Sequence, residues 1–474
     1  MAILASFVGV FAIKLGGAVE IMRSLYLGVW TAALLALAGF LPVTLWLLDD
    51  ISYFFAACIG VAATLALMYL TDYQTTGYSF FQALVVPLDD EPFMITRRLE
   101  ESNVHARTWV EETRPYPDTG DAIQMLVESL REFGLDRSRL GYERNSYYFP
   151  AYHQDIIHTS FINGRLVDCF GIVEEGRIRK SPAEIEIMQR AARATEAGMR
   201  AGIEACVAGV TENEIAAEIS AEMFRNGGEF PAVMPYVASG PRSMIGHATW
   251  EGRVVQPGEH VFLEIAGCFR RYHTAMMRTV VLDELSTSMY KAQERMKLAL
   301  SELKSVLQPG LTVSDADNLV RQIITDNDVG AALVTRAGYS IGIAFPPSWD
   351  EGYIMSLKQG ESRILEEGMT MHVIPFMWGV DGDKTVGISD TLRVTDDGCA
   401  SFFDLEEDFT VKPDEASKQT QRHPDPDQDL RERLAVAQQL HHPAEDPAEE
   451  ELRCCRCQSQ PPPTGPAAHL PIDP

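Results

Sequence analysis

The chain opens on two apolar runs. Residues 24–48 and 51–71 carry no charged side chain, and each run is long enough to cross a bilayer as a helix. Lys14 and Arg23 precede the first run and Asp49 and Asp50 separate the two, a pattern that predicts a membrane hairpin with both ends inside. A second reading competes with it. Residues 59–70 also suit the first buried strand and helix of a globular domain, because strands buried on both faces are continuous apolar runs too. From 72 to 180 the pattern changes to short β-rich runs, such as Ala83 to Pro87, alternating with helical stretches such as Asp121 to Phe133. That alternation predicts an α/β domain.

Ser181, Pro182 and Glu184 then mark a helix start, with Ser181 as cap and Pro182 in the first turn. Two helices are expected over 183–208 and 211–227, stopped by Gly209 and by Gly227 and Gly228. Ile185, Met188, Ala192 and Met199 fall on one helical face and read as core. A β-rich stretch follows, VFLEIAGCFRRYHTAMMRT, in which Val261 to Leu263 begin one strand, Gly267 supplies a turn and Tyr272 to Val280 return. The hairpin carries a single carboxylate, Glu264, into an apolar interior. A second helix pair is expected over 286–307 and 313–327, divided by Pro309 and Gly310, and strand-rich sequence runs from 369 to 411. Beyond Lys412 the composition turns to Pro, Asp, Glu, Gln and His without apolar periodicity, so 413–474 reads as a disordered tail. The chain therefore divides into an apolar segment at 1–71, a domain at 72–180, a second domain at 181–412 and the tail.

Glu264, followed eight positions on by Tyr272 and then by Arg278 and Thr279, resembles the core hairpin of the pita-bread family, which includes creatinase and the methionine and Xaa-Pro aminopeptidases. The resemblance implies an α/β fold: a creatinase-like amino-terminal domain followed by a pita-bread catalytic domain, with the repeated helix pairs as its pseudo-symmetry. It also implies a homodimer in which the first domain caps the partner's site. In the metallopeptidases of that family five side chains bind a dinuclear metal centre. Those positions fall here on Glu264, Ala275, Tyr339 in GYSIG, Ile374 in GMTMHVIP and Ser389 in GISDT. Hard divalent metals need several oxygen or imidazole donors, so the expectation is no metal and no cofactor. The family's acid/base histidine is present as His247 in SGPRSMIGHATW. The runs EIAGCFRRYH, RAGYSIGIAFPPSW, MSLKQGESRILEEGMTMH and NSYYFPAY are similar to the ectoine hydrolase branch, which works without metal.

Composition narrows the partners. A formal charge of -27 disfavours nucleic acid, whose phosphates need clustered Lys and Arg. The eight cysteines form no disulfide framework, which fits a reducing, cytoplasmic setting, with membrane anchoring through residues 24–71 as the alternative. Cys454, Cys455 and Cys457 crowd the tail without a second pair of ligands, a weak zinc pattern.

A buried carboxylate must be neutralised or meet a cation. Ectoine or a similar cyclic amidine would supply that cation, with Glu264 as nucleophile or amidinium partner and His247 as proton shuttle. Arg278 could grip a substrate carboxylate in a forked contact. Tyr272, Tyr339, Phe345, Trp349 and Trp378 suit a cage for a delocalised cation, with His273 and His372 as further candidates. Each has a plainer reading. The aromatics suit a packed core, the histidines suit satisfied strand positions, and Glu264 could pair structurally with Arg271 or Arg278. A creatinase-like amidinohydrolase, an Xaa-Pro peptidase-like enzyme and a pita-bread binding module remain the functional alternatives.

Overall fold

The computed structural model describes residues 58–60, 65–161 and 165–413. The first apolar run and the tail beyond Pro413, with its cysteine cluster, lie outside the described residues. The described part opens with β1 (Cys58–Gly60) and α1 (Leu65–Thr71). There follow β2 (Ala83–Val86), β3 (Phe93–Arg97), α2 (Glu101–Arg107), β4 (Glu112–Tyr116), α3 (Ala122–Glu132), β5 (Arg139–Tyr142), α4 (Ala151–Ser160), β6 (Arg165–Asp168) and α5 (Ile172–Arg177). The six strands form one mixed sheet in the order β4-β3-β2-β1-β5-β6. β1 lies in its middle, antiparallel to β2 and parallel to β5. Ala66, Leu67 and Met68 of α1 are buried. The structure thus takes the second reading of residues 59–70, as strand and helix, and the run 51–71 is not one continuous span. The boundary expected between 71 and 72 cuts through this first domain. No helix among the described residues is long and apolar enough to cross a membrane.

The second half begins with α6 (Pro182–Ala205) and α7 (Glu212–Arg225). Each starts in a capping box, Ser181 with Glu184 and Thr211 with Glu214, which satisfies backbone N–H groups that a helix start leaves free. Next come β7 (Tyr236–Ser239), β8 (His260–Phe269) and β9 (Tyr272–Leu282), then the second helix pair, α8 (Thr287–Val306) and α9 (Val313–Thr325). The chain closes with β10 (Gly338–Ser340), β11 (Ser356–Leu357), β12 (Thr370–Val373), β13 (Met377–Val380), β14 (Lys384–Val386), β15 (Asp390–Val394), β16 (Cys399–Ser401) and β17 (Thr410–Lys412). One sheet has the order β17-β9-β8-β7, another β11-β10-β12-β15-β16, and β13 pairs with β14.

The β8–β9 hairpin is registered from His260 opposite Val281 to Phe269 opposite Tyr272. Its turn is made by Arg270 and Arg271, at φ 45° and 63°, the left-handed pair of a two-residue hairpin loop. Gly267, expected as the turn, sits in mid-strand opposite Thr274. It is needed for a different reason: a Cβ there would stand 2.6 Å from Ala191 O and from Thr195 N and Oγ1 of α6, so only glycine lets the helix lie this close.

Every residue of β9 is buried, because both faces of the hairpin are covered. Leu263, Ile265, Met276 and Val280 pack on one face with Met199 of α6 and Ile215 and Ile219 of α7. Ala275 and Met277 face the other way, into the core shared with α8, α9 and the five-stranded sheet. Backbone-to-hydroxyl bonds join the two sheets: Ala275 N–H donates to Thr391 Oγ1 at 3.0 Å and Met277 N–H to Ser389 Oγ at 2.6 Å. Glu351 anchors the link between the halves, accepting from Arg177 at 2.5 Å and from Lys180 at 2.8 Å while fully buried.

Candidate active site

Strand parity decides which side chains meet. Directly opposed residues share a face, and Glu264 is opposed by Tyr236 on β7 and by Met277 on β9. Arg278 is opposed by Leu263, so its side chain leaves the sheet on the α6 side, away from Glu264. There it donates to the carbonyls of Met277, Ser389, Leu405 and Glu406 at 2.8, 2.8, 3.0 and 2.9 Å. Four of its five N–H groups are spent on backbone, which corrects its expected role as a carboxylate clamp. Tyr272 shares that parity, and its hydroxyl donates to Glu184 of α6 at 2.9 Å. It too lies apart from Glu264. His273 is satisfied by backbone at both ring nitrogens, facing Arg271 O at 2.9 Å and accepting from Ala232 N–H at 2.9 Å. The expected substrate roles of Tyr272 and His273 do not survive these partners.

Glu264 itself is 9% exposed. Among the described residues no hydrogen-bond donor or cation pairs with its carboxylate, and burial pushes its pKa up to about 8. The structural ion pair with Arg271 or Arg278 is therefore not formed. Arg271 is held instead by Ala344 O at 2.8 Å and by the Phe230 and Phe345 rings, whose centroids lie 4.1 and 4.6 Å from its guanidinium carbon.

Of the other predicted residues, Tyr339 stands near enough to feel the Glu264 charge, and Trp349 and His372 bond to its hydroxyl. Tyr236 packs edge-on against Trp349 at 5.5 Å between ring centroids, and its ring lies 5.4 Å from that of His247. Burial, and secondarily the Glu264 charge, push the Tyr236 phenol up to about 12; the same two causes raise Tyr339 well above its usual value. Trp349 Nε1–H donates to Tyr339 Oη at 3.0 Å. His372 meets Tyr339 Oη through Nδ1 at 2.8 Å and Ser389 Oγ through Nε2 at 2.6 Å. Tyr339 is opposed by His372 on β12 and by Ser356 on β11, which puts all three on one face. The ring of Trp378 lies 3.9 Å from where a Cβ on Gly246 would stand, bordering the His247 loop.

That loop is tied down from below. Glu212 Oε1 accepts from Ser239 N–H and from its hydroxyl, both at 2.8 Å, and Glu212 also pairs with Arg242. Ser243 Oγ meets His260 Nε2 at 3.0 Å and accepts from Thr385 N–H at 3.0 Å. His247 stands above, exposed and left-handed at φ 57°. Its ring packs against that of Tyr236, the residue opposite Glu264 on β7. Tyr236 is the residue that sequence reasoning missed; its only signal is a place in the β-rich run YVAS, and its pairing with Glu264 is a matter of register.

Residues 57–179 match the creatinase/prolidase N-terminal domain and residues 186–396 match metallopeptidase family M24. The chain belongs to family M24. It is 31% identical to an uncharacterised hydrolase/peptidase of Sinorhizobium fredii over 359 residues, 73% of this chain and 88% of that protein. It is 29% identical to ectoine hydrolase of Halomonas elongata over 367 residues, 73% of this chain and 90% of that one. Recombinant prolidase from Thermococcus sibiricus shares the fold, with a TM-score of 0.67 at 21% identity across 75% of this chain and 94% of that one.

Against the metal centre of M24 peptidases, the donor set here is wrong. Glu264, Ala275, Tyr339, Ile374 and Ser389 offer one carboxylate, and Tyr339 and Ser389 are both engaged by His372. Among the described residues no group of three or more His, Cys, Asp or Glu comes together in a way that could hold a metal ion. These side chains do not fit two hard divalent cations. Two of these five positions, Tyr339 and Ser389, stand instead in a hydrogen-bonded row, Trp349 to Tyr339 to His372 to Ser389.

Proposed function

We propose that this M24 protein is a metal-independent hydrolase of a carbon–nitrogen bond outside peptides, opening the ring of a cyclic amidinium, with ectoine as the leading substrate. The observation that carries the reading is Glu264: a buried carboxylate without a counter-ion among the described residues, walled by Tyr236, Tyr339 and Trp349. Such a group favours the binding of a cation, and aromatic faces favour a delocalised one. The likeness to ectoine hydrolase supports the same substrate class.

Ring opening adds one water across the amidine. The oxygen ends on the amidine carbon as an amide, the bond from that carbon to one ring nitrogen breaks, and both protons of the water end on the departing nitrogen. Glu264 acts at the amidine carbon, as nucleophile or as counter-charge, and both roles require its ionised form. His247, exposed beside Tyr236, exchanges protons with solvent and hands one to the leaving nitrogen. The reading carries two further expectations, a homodimer and a reducing compartment. Cys206, Cys268 and Cys399, free thiols among the described residues, fit the second.

The test incubates the chelator-treated full chain with ectoine and follows N-acetyl-diaminobutyrate by proton NMR, with Glu264→Ala in parallel. Product from the wild type alone is expected. No turnover by folded protein, or turnover that returns only with added metal, overturns the proposal.

A further inference from the structure

Trp349, one wall of the proposed cation pocket, sits at the end of a run with little hold of its own. Residues 344–349 form no helix or strand, and Pro346 and Pro347 have no backbone N–H with which to tie the run down. What fixes it reaches it from outside. On the carboxy-terminal side the hold comes from β10 and the chain just before it: Glu351 N–H donates to Ser340 O at 2.7 Å, and Asp350 accepts from Arg336 at 2.9 Å.

The amino-terminal side is held by two other parts of the chain. One is the tip of the β8–β9 hairpin. Ala344 N–H donates to Arg271 O at 2.9 Å, and Ala344 O accepts from Arg271 Nε at 3.1 Å and from Nη2 at 2.8 Å. The Phe345 ring then lies on the same guanidinium, 4.6 Å from its central carbon. The other part is the first domain. Tyr78, between α1 and β2, sets its ring 5.6 Å from that of Phe345. Tyr148, between β5 and α4, stands edge-on to Tyr78 at 6.1 Å and donates its hydroxyl to Pro346 O. The two holders are themselves joined, since Arg270 at the same tip pairs with Asp72 of the first domain.

Pro346 stands three residues before Trp349, about 10 Å of chain at full extension, so a displacement at Pro346 has little chain in which to be absorbed. Trp349 in turn packs edge-on against Tyr236 at 5.5 Å and donates to Tyr339 at 3.0 Å, and Tyr236 is the β7 residue opposite Glu264. We propose that Tyr148 and Arg271 are positioning residues for Trp349, through which the first domain sets the aromatic wall of the site in its own chain. Neither side chain needs to touch substrate. Arg271 is buried and pairs with no carboxylate among the described residues; its donors go to Ala344 O and Phe230 O, so what it fixes is this joint. The inference rests on the reading of Glu264, Tyr236 and Trp349 as the substrate pocket and adds to it the part of the chain that sets the pocket's shape.

The first test needs no substrate. The full chain is made with 5-fluorotryptophan, and the Trp349 fluorine line is assigned by its loss in Trp349→Phe. Tyr148→Phe removes one hydroxyl and keeps the ring. It should shift the Trp349 line and leave in place that of Trp109, whose indole is bonded to Leu70 O. An unmoved Trp349 line overturns the proposal. Arg271→Lys keeps the charge, loses the double grip on Ala344 O and should move the same line; if that variant does not fold, Tyr148→Phe alone decides. The second test uses turnover. Tyr148→Phe should raise the KM for the cyclic amidine about fivefold, the worth of one hydrogen bond, with kcat nearly unchanged. It should add nothing in a Trp349→Phe background, because it acts through Trp349. Additive losses in that background, or a fall in kcat alone, would mean a merely structural joint. A wild type that opens no cyclic amidine would sink the functional reading, while the fluorine lines still decide the coupling.

Discussion

Glu264 and Arg278 sit one register step apart on neighbouring strands and project from opposite faces of the sheet. The carboxylate is left alone in an aromatic pocket, and the guanidinium is spent on four carbonyls behind it. Replacing Arg278 with alanine strips those buried acceptors of their partner. Chemical denaturation should show a loss of about 3 kcal/mol or more, with the KM of any refolded enzyme little changed. A raised KM at unchanged stability would restore Arg278 to the substrate.

Glu264→Gln should do the reverse. The carboxyl pKa is raised by burial to about 8 from an ordinary value of 4.5, so the folded protein keeps a proton that the unfolded chain releases. Stability from this group is full below about pH 4.5, falls as pH climbs towards 8 and levels off above it. The glutamine variant should gain on the wild type across that window, by on the order of 5 kcal/mol. Denaturation midpoints at pH 5 and pH 8 check the sign; a gap that shrinks with pH contradicts it.

The same shift predicts proton release on binding. At pH 7 a carboxyl with a pKa of about 8 is mostly protonated, and a bound amidinium favours its charged form. Calorimetry in buffers of different ionisation enthalpy should find protons leaving as ectoine binds, and none leaving in Glu264→Gln. Proton uptake, or equal release from both proteins, would argue for a different partner of the cation.

Gly267→Ala tests the packing of helix on hairpin. The added methyl would press on backbone atoms of α6 2.6 Å away, a contact that relaxes only if the helix shifts. A loss of about 1–3 kcal/mol is expected, read as a lower melting temperature, and an unchanged value would mean that α6 moves freely.

These relationships divide cleanly by what a linear pattern can hold. Helix starts at Ser181 and Thr211 were legible because a capping box is local, and the helix ends fell within a few residues of the glycines that mark them. Gly267 was misread because a glycine serving helix residues 72 and 76 positions away in sequence looks the same as one that turns a strand. Arg270 and Arg271 gave no turn signal, since their left-handed backbone is set by the closing hairpin and not by residue type. In the site, Glu264 and Tyr339 were singled out through the resemblance, Trp349 as a cage aromatic and His372 as a further candidate, and Trp349 and His372 both bond to Tyr339. Arg278, Tyr272 and His273 belong to the same motif, but parity and backbone partners turn them to structural work, and neither is written in a spacing.

β1 also bears on how the protein can be handled. A fragment begun after Thr71 would lack the strand between β2 and β5, leaving two unpaired backbone edges facing one another across an open slot. Such edges recruit any extended segment that fits, including one from a neighbouring molecule. Precipitation or strand exchange between copies would then be a property of the cut, and any shortened version meant to stay monodisperse has to keep the chain from before Cys58 onward.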